Sequence, residues 1–346
     1  MSKPSEILAT LASQLSQLAT STSSDVEKNS AAVSIAQKIL TATRGPTPDW
    51  MDWMIKVMEL TGLKLFLDWN ALEIIPSEGS IKYAELADKL SADEPLVLTA
   101  MGLPKYFEEY GRREPATRRH TPYAFSHGQP EKEVWEIHQE NPAQVKRFME
   151  VMAMTQQFIP LAGIYDFGWV ETKLSEQHDR PILVDVGGSK GHTIKAIMKE
   201  NPFIPADRII LQDRDEVIEQ VAELKDPGLD GVQLQVHDFH KAQPVKNALI
   251  YWIRRCLHDY GDDDCATMLT QLSDAMSSDS KVLIVEYVLP SPPPPIGAMT
   301  DFSMLGIGGK ERTAKDWKVL VARSRLKIEK IHGLEMKMQV IECVKA

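Results

Sequence analysis

The sequence predicts an α/β fold, a doubly wound Rossmann-like domain preceded by a mostly helical N-terminal region, and three observations predict it. From residue 182 onward short apolar runs recur at 182–186, 208–211, 232–236, 248–253 and 281–287, with a terminal pair near 326–331 and 338–344. Helical patterns separate them, and such alternation builds a mostly parallel sheet flanked by helices. The first run breaks into Gly187-Gly188-Ser189-Lys190-Gly191, a glycine turn that opens a helix. Upstream, the apolar residues fall at helical spacing instead, as in Ile7, Leu8, Leu11, Leu15 and Leu18.

Length and composition narrow the function. A chain of 346 residues is long enough for two domains with their own cores. Its net charge of −10 argues against a nucleic-acid partner, and the Arg112-Arg113 and Arg118-Arg119 pairs are too local to reverse that. The three cysteines, Cys256, Cys265 and Cys343, have neither metal-like spacing nor an even disulfide framework, so no metal is expected and a reducing compartment fits. Met1 to Leu18 lacks an unbroken apolar core, which excludes a signal peptide or membrane span there and points to a cytoplasmic protein.

Along the chain, Ala31, Val33, Ile35, Ile39 and Leu40 continue the amphipathic pattern. A third segment from Asp49 carries Trp50, Trp53, Met54, Val57, Met58, Leu63, Phe66 and Leu67, more apolar surface than one short helix hides. Either a partner chain or the chain's own helices must cover it. Two short helical patterns, Tyr83 to Leu90 and Pro95 to Leu103, then precede an Arg-rich stretch ending in His120-Thr121-Pro122-Tyr123, an order that resembles a winged helix. Asn141 to Met154 and the segment to Val170 read as connecting helices, Glu171 to Arg180 as a polar linker, and the cofactor domain starts near Pro181.

The strand ends carry the chemistry. Ile182, Leu183, Val184 and Val186 suit a strand buried on both faces, and Gly187 and Gly188 let backbone approach a ligand at its carboxyl end. The helix Thr193 to Lys199 presents a dipole end that favours a carboxylate or phosphate. The second strand, Arg208 to Leu211, leads to Asp213, 28 residues after Asp185, near the roughly 20-residue spacing at which a Rossmann acid meets ribose hydroxyls. The third, Val232 to Val236, runs into Asp238 and Phe239, an acid that can accept from an adenine amino group and a ring that can lie on the base. The alternative is that Asp213 and Asp238 only cap loops.

His258 falls just past the fourth strand, where α/β sheets place their chemistry, and Glu286 ends the fifth. A carboxylate at that depth needs a partner, and His258 is available. Gly308-Gly309-Lys310-Glu311-Arg312-Thr313 supplies a second acid, with Thr313 set to cap the next helix. A histidine bracketed by two carboxylates is a candidate general base; a lone strand-end histidine would more often be structural.

Taken in order, LVDVGGSKGH, RIILQDRDEVI, HDFHKAQPVKNALIYWIRRCLHDY, VEYVLP and GGKERT resemble the S-adenosylmethionine-dependent O-methyltransferases of the plant caffeate type, especially their fungal members in secondary metabolism. The resemblance spans essentially the whole chain. It implies a winged-helix-like dimerisation domain at 1–123, connecting helices at 124–180 and a methyltransferase domain at 181–346 whose seventh strand is antiparallel. A homodimer through the N-terminal helices is implied too, as is a phenolic or polyketide-like small molecule that accepts the methyl group.

By the same resemblance Gly187 and Gly188 approach the cofactor, Asp213 its ribose, Asp238 and Phe239 its adenine, and Arg254 occupies the place of a basic cofactor contact. His258 takes the substrate hydroxyl proton, Glu286 and Glu311 hold its imidazole, and Asp259 contacts a neighbouring substrate group. Met299, Asp301, Phe302 and Met304 fall in the substrate-lining helix, where soft methionines pack on a flat ring. The chain departs from the pattern at Ser189, often a third glycine, and at Arg214-Asp215, usually Leu-Pro. Arg214 then lies near the adenosine or pairs with Asp215 or Glu216. The stretch from Tyr123 to Trp135 is shorter than in fungal relatives by some tens of residues. Some of those relatives bind S-adenosylmethionine yet act as pericyclases or cyclases, so that chemistry is the alternative activity.

Overall fold

The computed structural model describes residues 104–140, 161–177 and 179–346, together with 10–14, 16, 17, 31, 32, 35, 74, 76 and 85. The chain divides into two compact units, Met1–Val57 and Met58–Ala346. In the first, every described residue is helical, and Leu11 and Ile35 are buried, as the apolar spacing requires. The apolar segment after Asp49, the pattern at 95–103 and the connecting stretch at 141–154 lie outside the described residues. The sheet and the site belong to the second unit.

There α1 (Pro104–Tyr110), α2 (Pro122–Ser126), α3 (Val134–Gln139) and α4 (Trp169–Glu176) precede the first strand. The sequence of elements that follows is β1 (Leu183–Val186), α5 (His192–Glu200), β2 (Ile209–Asp213), α6 (Asp215–Leu224) and β3 (Gln233–Val236), then β4 (Ile250–Arg254), α7 (Asp262–Ala275) and β5 (Lys281–Glu286). A short parallel pair, β6 (Val288–Leu289) and β7 (Arg312–Thr313), brackets α8 (Pro295–Ile307). The chain ends with α9 (Ala314–Ala322), β8 (Leu326–His332) and β9 (Gln339–Lys345).

The seven-stranded sheet has the order β3-β2-β1-β4-β5-β9-β8. β9 runs antiparallel to both neighbours, and every other adjacent pair is parallel. Alternate strand residues feed two cores. Val184, Val186, Tyr251, Ile253, Val282 and Ile284 pack with Leu269 and Leu272 of α7 and Trp317 and Leu320 of α9. Leu183, Ile209, Leu211, Trp252 and Leu283 pack with Ile194 and Ile197 of α5, Ile218 of α6 and Val170 of α4. A period of two on strands buried on both sides therefore gives the doubly wound architecture. Chain direction across the sheet reverses between β1 and β4, and the carboxyl ends of those strands open the crevice where such folds bind ligands.

Three local expectations change. Residues 161–168, read as part of the connecting helices up to Val170, are bends and a turn rather than helix, with Gly163 at φ +83°, outside the helical region. Residues 171–176, read as polar linker, are helical. Val170 is fully buried, and Lys281 Nζ lies 4.4 Å from the Trp169 ring, so a polar sequence becomes the solvated face of a docked helix. β2 also runs two residues further than its apolar run, because Asp213 pairs with Val236 and keeps the ladder going. β3 is an edge strand with exposed side chains, unlike its neighbours. Among the described residues no helix is long and apolar enough to cross a membrane.

Candidate active site

The glycine loop sits directly on the ends of β1 and β2. Gly187 and Gly188 both donate to the Gln212 carbonyl, at 2.9 and 3.0 Å. Gly187 has φ +71°, and a Cβ there would lie 3.0 Å from Cys256 Sγ and 3.3 Å from the Phe239 ring, so only glycine leaves the wall smooth. Gly188 packs inward, where a Cβ would meet Leu211 at 2.3 Å and the Asp185 carboxylate at 2.5 Å. Ser189, standing where a third glycine is common, adopts φ +51° and donates its N–H to Asp213 Oδ2 at 2.8 Å. That bond helps hold a non-glycine residue in the left-handed region.

Above this loop is a cavity of about 370 Å³ whose wall includes Gly187, Asp213, Asp238, Phe239 and Asp259. Asp213 Oδ1 also accepts from Arg214 N–H at 2.8 Å, and each oxygen keeps room for another donor. Burial raises its pKa against those two backbone donors. Burial would likewise raise Asp238, but the His240 N–H at 3.0 Å and the His240 and Lys241 charges hold it below the usual range. The Phe239 ring stacks on His240 at 4.9 Å and meets Tyr260 edge-on at 5.9 Å. Arg214 lies at the rim and pairs with Glu216 at 2.8 Å, both half-exposed, a contact worth about 0–1 kcal/mol.

Arg254, expected to contact the cofactor, is not among the residues that line this cavity. Burial lowers its pKa, while Asp185 and Glu286 beside it oppose that; in turn Asp185 is pushed up to about 7 by burial, with Arg254 opposing. Cys256 was given no role by its spacing, yet its thiol is part of the cavity wall, donating to the Arg254 carbonyl at 3.3 Å. Burial drives its pKa far up, so it is a neutral, soft surface rather than a nucleophile.

The turn after β4 carries His258, which is buried. Its Nδ1 is 3.1 Å from Glu311 Oε1 and 3.9 Å from Glu286 Oε2, and its Nε2 is 3.5 Å from Asp259 Oδ1. Burial alone would lower the imidazole pKa, but the charges of Glu286, Asp259 and Glu311 outweigh it and raise it to about 9. The two glutamates divide the work. Glu311 holds the ring, whereas Glu286 Oε1 accepts backbone N–H groups of the turn itself.

The four residues expected to line a substrate helix all lie on α8, outside the wall of this cavity. Asp301 Oδ1 accepts the Glu311 N–H at 2.8 Å and so steadies the glutamate behind His258. Burial, with Glu311 and Glu114 nearby, pushes Asp301 up to about 7. Phe302 is buried, and Met299 and Met304 are partly so. Residues that sequence reading passed over close the cavity from the N-terminal side: Arg118, Trp135, Glu136 and Gln139. Trp135 hydrogen-bonds Tyr260, Gln139 reaches Glu216 at 3.4 Å, and Arg118 lies 3.4 Å from Asp264. No motif marks them, although a tryptophan amid charged residues was a usable signal.

Residues 110–325 match the O-methyltransferase domain family. Methyltransferase cfoD of Aspergillus candidus is 32% identical over 369 aligned positions, which take in 90% of this chain and 91% of that protein. Ninety per cent of this chain is fewer than 369 residues, so several tens of those positions are filled in cfoD alone. Among solved structures, OxaC in complex with SAH and oxaline superposes with a TM-score of 0.65 at 23% identity, over 99% of this chain and 98% of that one. One described as a pericyclic reaction enzyme gives 0.63 at 18%, over 99% and 100%. At these identities the two structures show the shared fold. With well over half of its residues inside the family match and a fungal methyltransferase alike across nine-tenths of it, the chain belongs to the O-methyltransferase family of enzymes.

Proposed function

We propose that this enzyme moves the methyl group of S-adenosylmethionine to a hydroxyl of a small phenolic or polyketide-like secondary metabolite, with His258 as general base. The observation that carries it is the buried His258 imidazole, braced by Glu311 at 3.1 Å and 3.5 Å from Asp259, the residue that itself lines the cavity together with Gly187 and Asp213.

The residues suit that cofactor. Gly187 leaves a hollow that a Cβ would fill, Asp213 keeps acceptor capacity for two ribose hydroxyls, and Asp238 with Phe239 offers an acceptor and a flat apolar face for adenine. Bound there, S-adenosylmethionine supplies an electrophilic methyl group on a sulfonium. The chain's own part is placement and proton removal. Orientation of two reactants is worth about 7 to 11 kcal/mol of a barrier. A phenol has a pKa of about 10 and a free imidazole about 6.5, so an imidazole raised to about 9 is better matched to the proton it takes.

A pH dependence follows, and its sign is set by that shift. The base works in its neutral form, so kcat/KM rises as pH rises through about 9. The folded-state pKa lies above the unfolded one, so the stability that His258 contributes is full below about 6.5 and is lost as pH rises through about 9. Rate and melting temperature measured from pH 6 to 10 should move in opposite directions. A rate flat across that span overturns the basic-imidazole reading.

The direct test of function is incubation with methyl-labelled S-adenosylmethionine and a panel of phenols. Label is expected in the product. Label that stays on the cofactor while a ring closes or water is lost would make the enzyme a pericyclase or cyclase instead. The same reading takes 1–123 as a winged-helix-like dimerisation domain, 124–180 as the connecting segment and 181–346 as the methyltransferase domain, within a cytoplasmic homodimer.

A further inference from the structure

The turn that carries His258 is too short to hold itself, since its helical part, Leu257–Asp259, is a single three-residue 3-10 turn. Its donors converge on one atom. The N–H groups of Cys256, Leu257 and His258 point to Glu286 Oε1 at 3.1, 2.9 and 3.4 Å. Its carbonyls converge on residues 309–312. Lys310 N–H donates to the His258 carbonyl at 2.9 Å, while Arg312 Nη1 donates to the Leu257 carbonyl at 3.1 Å and Nη2 to that of Tyr260 at 2.8 Å. Gly309 permits the contact, because a Cβ there would fall 2.0 Å from the His258 carbonyl oxygen.

Arg312 is fully buried, its Nε donating to Asp262 Oδ1 at 2.8 Å and its guanidinium carbon 5.3 Å from the centre of the Trp317 ring. Burying a guanidinium is costly unless its donors are used, and here they go to the Asp262 carboxylate, to the Leu257 and Tyr260 carbonyls on either side of His258 and, more weakly at 3.4 Å each, to the Lys310 carbonyl and Cys265 Sγ. The residue that follows Glu311 in sequence thus grips the backbone beneath the ring that Glu311 braces.

We propose that Arg312 is a positioning residue for the reaction: by bridging the Leu257 and Tyr260 carbonyls it sets where the His258 ring stands relative to Glu311 and the cavity. This rests on the reading of His258 as the base. A lysine keeps the charge beside Asp262 but carries its donors on one nitrogen, so it cannot span the Asp262 carboxylate and both carbonyls as the three nitrogens of the planar fork do. The charged groups that set the His258 titration are Glu286 from β5, Glu311 ahead of β7 and Asp259 on its own turn, with Arg255 acting on Asp259 and Glu286.

The test uses the full chain as Arg312→Lys and, separately, Asp262→Asn, which loosens the other tie of the guanidinium. A cooperative melt shows that each has folded. In Arg312→Lys, kcat should fall roughly 10- to 100-fold, as about 1 Å of misplacement suffices to do, with cofactor affinity unchanged. The His258 ring signals in NMR, assigned by their loss in His258→Gln, should titrate at lower pH than in the parent, and the rising limb of the rate profile should move with them. Asp262→Asn should shift both in the same direction by less. A folded variant whose kcat falls while the ring titration stays in place overturns the positioning role, and so does an unchanged kcat. If His258→Gln keeps the parent rate, the base reading fails, while the ring titration in Arg312→Lys still decides whether the clamp exists.

Discussion

His258→Gln is expected to lower methyl transfer roughly 100- to 10,000-fold, the range a general base supplies, while the protein still binds its cofactor. Glutamine fills much of the imidazole space and can donate to Glu311, so that carboxylate is not left buried and alone. It cannot take a proton. The backbone ties of the turn run to Glu286, Lys310 and Arg312 and do not involve the ring, so the turn should survive. Single-turnover transfer and cofactor titration calorimetry, run on the same preparation, separate chemistry from binding. Transfer within a few-fold of the parent would remove His258 from the chemistry.

Asp213→Ala is expected to abolish the rise in melting temperature that S-adenosylmethionine gives the parent. A ligand that binds only the folded state at about 100 times its Kd stabilises by about 2.7 kcal/mol, and that increment should vanish. Two losses combine. On the proposed placement the ribose loses its acceptors, and Ser189 at φ +51° loses the carboxylate that takes its N–H at 2.8 Å, so the glycine loop is less well held. Asp213→Asn divides the two, because the amide oxygen still accepts one N–H but the second acceptor becomes a donor. It should bind weakly rather than not at all. A full melting shift in Asp213→Ala would place the ribose elsewhere.

Much of the site could be read along the chain because each residue sits where a regular element stops. Asp213 closes β2, Asp238 and Phe239 lie just beyond β3, His258 follows β4 and Glu286 closes β5. A strand buried on both faces announces itself as an apolar run, and the first polar residue after it stands at the sheet's edge. Arg214 was ambiguous for the opposite reason: an exposed side chain has several partners within reach, and only coordinates show that Glu216 takes it. The helix at Trp169–Glu176 was legible only as far as Val170, because just three of its positions, Trp169, Val170 and Leu174, pack on the core, too few to make a period.

What the sequence determined by itself is the alternation that makes a doubly wound sheet, the order of the chemical groups at its carboxyl edge, and the likeness to the O-methyltransferases. These depend on neighbours in the chain: periodicity, glycine turns and motif order. The tertiary structure alone decided that Glu286 secures the backbone of the His258 turn, that Arg312 grips the same turn from the other side, that Cys256 is wall, and that Trp135 closes the cavity. Those contacts join residues 29 and 55 positions apart in the first two cases. Directional hydrogen bonds across such separations exist only once the sheet has brought the segments together, so no local pattern announces them.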